Sequence, residues 1–261
     1  MIYLEPSITE FVVNQITIRI LHEYQNHPFI SGNKWWKLKY NLEQAMREGQ
    51  HTLVTFGGAY SNHIYATAAA AKETGFRSVG IIRGEEVSNS TLQFARSQGM
   101  ELRFVSREEY RRKDEMTFPD AYVIPEGGTN QYAIEGCAEW GRKLLKMDFD
   151  QLYVPIGTAG TIEGLIKGID GKREVIGVPV LKGYEFAKYK TLNDYHFGGY
   201  AKVTKELIDF CTSMKEEYDV IVEPTYTGKL FFAVMDQVKK GLIERGTTIL
   251  IVHTGGLQVL K

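Results

Sequence analysis

Short apolar runs and helical stretches alternate along most of the chain, with glycine-rich turns at the joints. Residues 52–56 predict a strand that Gly57-Gly58 ends. Residues 61–74 predict an alanine-rich helix, with Gly75 in the position that favours a left-handed cap. A second strand is expected at 78–82, a helix at 88–97 and a third strand at 101–105. The rhythm returns with a strand at 151–155, a turn at 157–160, a helix at 161–168 and a strand at 175–178. Amphipathic helices at 204–218 and 230–240 and an apolar strand at 248–252 complete it. Such alternation favours an α/β fold on parallel sheets. The polar stretch 113–119 interrupts it, so two α/β domains are expected. Residues 47–125 would form a small domain inserted into a large one made of 1–46 and 126–261.

Composition narrows the function classes. The 261 residues suffice for one large or two modest domains. The 31 Lys and Arg nearly balance 32 Asp and Glu, so bulk charge gives no nucleic-acid surface. Arg111-Arg112-Lys113 is flanked by acids and reads as a solvated helix face. Cys137 and Cys211 stand far apart without a metal-ligand spacing, which argues against a disulfide scaffold and a zinc site. No run approaches the ~18 apolar residues of a membrane helix, and no secretory leader is visible. The expectation is a cytoplasmic protein with no metal, no membrane and no nucleic-acid partner.

Three turns carry candidate chemistry. In Ser31-Gly32-Asn33-Lys34, turn and cap residues precede a good helix, which puts Lys34 in its first turn. A cation is disfavoured there by the partial positive charge of the helix N-terminus. Burial beside Trp35 and Trp36 would lower the ammonium pKa further, towards the neutral amine that Schiff-base chemistry needs. A solvated surface lysine is the plainer alternative. Lys37 shares the face of Lys34 and could meet a phosphate.

Gly57-Gly58-Ala59-Tyr60-Ser61-Asn62-His63 lies between a strand and a helix, where free backbone N–H groups bind a carboxylate. Ordinary N-capping by Ser61 or Asn62 explains the same residues, and His63 is either a base or merely packed. Gly157-Thr158-Ala159-Gly160-Thr161 has the glycines, hydroxyls and helix start of a phosphate cradle, or of a tight turn. It matches neither dinucleotide nor P-loop patterns. Three further segments end strands or precede helices: Gly198-Gly199-Tyr200, 224–229 around Tyr226 and Thr227, and His253-Thr254-Gly255-Gly256. Ligands of open α/β sheets bind at such strand ends.

In this order the motifs resemble the D-cysteine desulfhydrase / 1-aminocyclopropane-1-carboxylate (ACC) deaminase family, from about His27 to Leu260. The resemblance implies fold type II of the pyridoxal-phosphate (PLP) enzymes, with the active site between two domains. Lys34 would carry the cofactor and move the α-proton. Lys37 and Gly157, Thr158, Ala159, Gly160 and Thr161 would hold its phosphate, and Asn62 its ring oxygen. Ser61, Asn62, His63, Tyr200 and Tyr226 would face a small amino-acid substrate, with Ser61 and the two tyrosines near the chemistry. Thr227 and Thr254 match positions near the pyridine nitrogen. ACC deaminases carry glutamate and leucine there, whereas a hydroxyl leaves the ring a weaker electron sink. The resemblance therefore implies β-elimination on D-cysteine or a similar amino acid, giving pyruvate, ammonia and sulfide. ACC deamination is the alternative, and a non-catalytic PLP-binding protein is the reading of another class. A homodimer is implied. Trp36 departs from the family's frequent arginine, and the segment before His27 looks reduced, without a clear strand.

Overall fold

The computed structural model describes residues 1–183 and 187–257. The segment before His27 does contain strands. β1 (Ile8–Val13) and β2 (Ile16–Leu21) form an antiparallel hairpin. Its two-residue turn, Asn14-Gln15, holds both residues at positive φ, 52° and 64°, the backbone that matches strand twist. Asn tolerates this conformation; Gln is not a usual turn signal, which hid the hairpin.

The chain then runs through α1 (Asn33–Arg47), β3 (Thr52–Gly57), α2 (Asn62–Thr74), β4 (Arg77–Arg83), α3 (Ser90–Ser97), β5 (Met100–Val105), α4 (Arg107–Arg111) and β6 (Tyr122–Ile124). It continues with α5 (Gln131–Leu144), β7 (Gln151–Ile156), α6 (Gly160–Ile169), β8 (Glu174–Pro179), β9 (Lys190–Thr191), α7 (Lys205–Tyr218), α8 (Thr227–Lys239) and β10 (Thr248–Val252). A six-stranded sheet has the order β1-β2-β10-β7-β8-β9, and a four-stranded sheet the order β5-β4-β3-β6. Every pairing except β1–β2 is parallel.

The central strands read as continuous apolar runs because both faces are covered. One face of the larger sheet packs under α7 and α8, where Ile18, Leu230, Phe231 and Ile251 are buried. The other face joins a cluster that crosses both sheets: Leu53 and Ile124 of one, Leu152 and Leu250 of the other, with Leu38, Trp36 and Trp140 between. That shared core orients the two sheets so that seven parallel strands end around one space. The residues at or just past those ends are Gly58, Arg83, Arg107, Glu126, Gly157, Leu181 and Thr254, and all line one cavity. The position 260 at which the family resemblance was expected to end lies outside the described residues.

Candidate active site

The cavity has a volume of about 480 Å³, the size of a small-molecule site. Lys34 lines it as the second residue of α1, and among the described residues its ammonium has no hydrogen-bond partner. The residue is partly exposed because its end opens into the cavity. Burial, and after it the charge of Lys37, lowers its pKa to about 7. At pH 7.5 such a value leaves roughly three quarters of the amines neutral, against about one in a thousand for an ordinary lysine. Gly32 makes this placement possible. Its φ is +65°, and a Cβ there would lie 2.0 Å from the carbonyl oxygen of Thr254.

Lys37 is almost wholly buried. Its Nζ donates to the carbonyl of Gly127 at 2.9 Å, to Thr129 Oγ1 at 3.2 Å and to Thr158 Oγ1 at 3.4 Å. Burial holds it at about 8, and among the described residues no carboxylate pairs with it. The contacts join two glycine-rich loops, the one after β7 and the one after β6. The sequence signalled only the first. Pro125-Glu126-Gly127-Gly128-Thr129-Asn130 is the second, a strand end followed by an Asn N-cap for α5, and its glycine pair was the available clue. In the 157–161 turn, Ala159 takes φ +59°. None of the N–H groups of Thr158, Ala159, Thr161 and Ile162 donates to a described acceptor. Asn33 Nδ2 reaches Thr161 Oγ1 at 2.8 Å, tying the start of α1 to this turn. Gly160 supports the turn from behind, its N–H donating to Thr158 O, and does not line the cavity.

At α2, Ser61 is the N-cap: its Oγ accepts from the N–H groups of His63 and Ile64 at 3.2 and 3.3 Å. Capping and cavity lining are thus the same residue's work, because its hydroxyl proton remains to donate. Ala59 and Tyr60 present N–H groups without described acceptors. Asn62 lines the cavity beside them. His63 is buried, and burial, then Lys34 and Lys37, hold its pKa well below the usual value. Thr55 Oγ1 donates to Ile124 O at 2.8 Å and lies 2.8 Å from His63 Nε2. The threonine's one proton is committed, so Nε2 must donate. Nδ1 then carries a lone pair, buried and without a partner among the described residues.

Tyr200 and Tyr226 meet edge to face, ring centroids 5.7 Å apart, on the far wall of the cavity. Burial raises both phenols. The interaction between them pulls Tyr200 back down and pushes Tyr226 further up. Lys229, fully buried, donates to His196 O at 3.0 Å and Gly199 O at 2.7 Å, fixing the loop that carries Tyr200. Thr254 lines the cavity, and its loop is set by His253, which accepts from Gly255 N–H and contacts Ile221 O at 2.8 Å. Thr227 does not line the cavity. It is buried as the first residue of α8, its Oγ1 3.2 Å from Glu223 Oε1. Glu223 also accepts from the N–H groups of Thr225, Tyr226 and Thr227 at 2.6–2.8 Å. It caps α8 and points no free oxygen at the site.

Sequence reasoning missed Arg83, Arg107 and Glu126, all lining residues. Trp36 lies outside the cavity: its Nε1 donates to buried Glu23 at 2.7 Å, and its ring stacks on Trp140.

Residues 12–255 match the family described as pyridoxal-phosphate dependent enzyme. The chain belongs to that family. Within it, a Pyrococcus abyssi protein provisionally named 1-aminocyclopropane-1-carboxylate deaminase is 31% identical over 268 residues, covering 87% of this chain and 81% of the relative. An Arabidopsis thaliana mitochondrial protein named bifunctional D-cysteine desulfhydrase/1-aminocyclopropane-1-carboxylate deaminase is 28% identical, covering 87% and 69%. A solved structure titled as an ACC deaminase homologue superposes with a TM-score of 0.87 at 26% identity, covering 98% of this chain and 91% of that one.

The residues present fit the family's cofactor. Its phosphate needs donors without built-in acceptors, which the N–H groups of the 157–161 turn supply, and beside them the Lys37 ammonium, bonded only to neutral oxygens, supplies positive charge. Its aldehyde needs a neutral amine, which burial makes of Lys34.

Proposed function

We propose that this PLP-dependent enzyme is a lyase that removes a β-substituent from a small amino acid, as a D-cysteine desulfhydrase does, releasing pyruvate and ammonia. The bound cofactor supplies a sink for the electrons left on Cα when its proton departs. Lys34 holds the cofactor, and its amine, poised near neutrality, takes that proton. Lys37 and the 157–161 turn bind the phosphate. The α-carboxylate sits at the N–H groups of Ala59 and Tyr60 with the Ser61 hydroxyl. Tyr200, the more acidic phenol of its pair, serves the leaving group.

The observation that carries this reading is that, among the described residues, no free carboxylate lies near Thr254. Glu223 lies behind that loop, where a Cβ on Gly256 would come 3.2 Å from its carboxyl carbon. Its oxygens are taken by the α8 N-terminus. Glu126, the one acid among the described lining residues, stands in the loop after β6 and pairs with Lys113 at 3.6 Å. A ring nitrogen met by a hydroxyl is a weaker sink. That suffices to remove an α-proton and expel a good leaving group. Opening a cyclopropane demands more.

The names of the relatives support the second reading, ACC deamination. A panel of D-cysteine, L-cysteine and ACC, assayed separately for sulfide, pyruvate and 2-oxobutyrate, decides between them. Sulfide and pyruvate from cysteine are expected. Release of 2-oxobutyrate from ACC without sulfide from either cysteine would reverse the order.

A further inference from the structure

The cavity holds more positive charge than this chemistry uses. Among the described lining residues Lys34, Lys37, Arg83 and Arg107 are basic, and Glu126, the one acid, is held by Lys113. The cofactor phosphate is matched by Lys37 and backbone N–H groups, and the α-carboxylate by the loop at 59–61. Lys34 is consumed in holding the cofactor. Two guanidiniums remain.

Their placement is built into the smaller sheet. Arg83 ends β4, opposite Val105 at the end of parallel β5, and Gly84 N–H donates to Val105 O at 2.8 Å. Arg107 follows two residues later as the first residue of α4. The two side chains therefore rise from neighbouring strand ends on the same rim. Neither has a hydrogen-bond or ion-pair partner among the described residues. Arg83 lies over the Tyr110 ring, its Cζ 5.5 Å from the centroid, which steadies a guanidinium without neutralising it. Its Nη2 comes within 3.6 Å of where a Cβ on Gly58 would stand, so it leans over the carboxylate loop. Both arginines are exposed at the cavity rim, and an oxyanion met there by arginine forks gains charge-assisted, bidentate bonds.

We infer that Arg83 and Arg107 form a subsite for a second anionic group on the substrate, so that the preferred substrates are small amino acids with an oxyanion in the β-substituent. This rests on the cavity being the amino-acid site of a PLP enzyme. It adds that discrimination is electrostatic and lies in the smaller sheet, remote from the lysine chemistry.

The test separates this from the β-elimination reading by measuring binding with an isosteric pair. Each enantiomer of aspartate and of asparagine is titrated into holoenzyme, and the change in cofactor absorbance gives Kd. One charged contact exchanged for a neutral one is worth about tenfold in Kd. Aspartate of one enantiomer is expected to bind at least about tenfold tighter than asparagine, with the preference shrinking as salt is raised. Arg83→Gln and Arg107→Gln should each cut the ratio severalfold, and Arg83→Lys should keep part of it. Equal affinity for the pair, or no absorbance change with either, overturns the subsite. So does equal weakening of both ligands in Arg83→Gln, which would make Arg83 an α-carboxylate group. D-cysteine turnover by the same preparation reports on the elimination reading independently.

Discussion

Lys34 and Lys37 stand one helical turn apart at the start of α1, and the charge of Lys37 lowers the pKa of Lys34. Lys37 spends its own charge on the Gly127 carbonyl and two threonine hydroxyls, none of which cancels it. In the proposed mechanism one helix turn thus carries both the cation for the phosphate and the amine for the aldehyde, the latter kept nearly neutral mainly by burial.

The first expected outcome concerns pH. The folded pKa of Lys34, about 7, lies below the ordinary 10.5. The rate of PLP capture by cofactor-free protein should rise with pH through about 7 and level off above it. The linked stability has the matching sign: between about pH 7 and 10.5 the unfolded chain binds a proton that the folded chain does not, so Lys34 contributes a stability gain as pH rises across that window. Stopped-flow absorbance against pH checks the first statement. A capture rate still rising steeply from pH 8 to 10 would contradict it.

Gly32→Ala tests the joint between α1 and the Thr254 loop. The new Cβ would overlap the Thr254 carbonyl at a backbone angle that alanine disfavours. A loss of about 2–4 kcal/mol in denaturant unfolding is expected, together with weakened cofactor binding. A variant as stable as the parent would show that the two loops are not held together here.

Lys229→Met removes the ammonium that ties His196 O and Gly199 O. Tyr200 should then be less well placed while Lys34 and the phosphate turn stay intact. The expected result is unchanged PLP content and a kcat/KM about tenfold lower, with KM carrying much of the change and Lys229→Arg recovering part. Loss of the cofactor itself would mean that Lys229 supports the whole fold and not this loop.

His63 should stay neutral. Its tautomer is fixed by Thr55, and burial beside two lysines opposes a proton. Nitrogen-15 NMR should report Nε2 protonated and Nδ1 bare, with no imidazolium formed as pH passes through the range in which an ordinary histidine titrates. An imidazolium signal in that range would contradict the assignment.

The turns that meet at the cavity were legible in the sequence because their requirements are local. Ser61 caps α2, Gly75 closes it and the 157–161 turn opens α6, each specified by neighbours within a few residues. Features that depend on distant partners were not legible. Arg83 and Arg107 look like any exposed arginines until the β4–β5 register brings them to one rim. Thr227 matched a family position, yet Glu223, four residues earlier, draws its hydroxyl away from the cavity. The hairpin of β1 and β2 needed two left-handed residues of which only Asn14 signals that conformation.

The most direct test of the account is chemical trapping. Purified protein loaded with PLP is reduced with borohydride, digested and analysed by mass spectrometry. A pyridoxyl-phosphate adduct on Lys34, and no adduct in the Lys34→Ala variant under the same loading, is the result this account requires. An adduct on Lys37 or Lys229 instead, or labelling undiminished by Lys34→Ala, would contradict it.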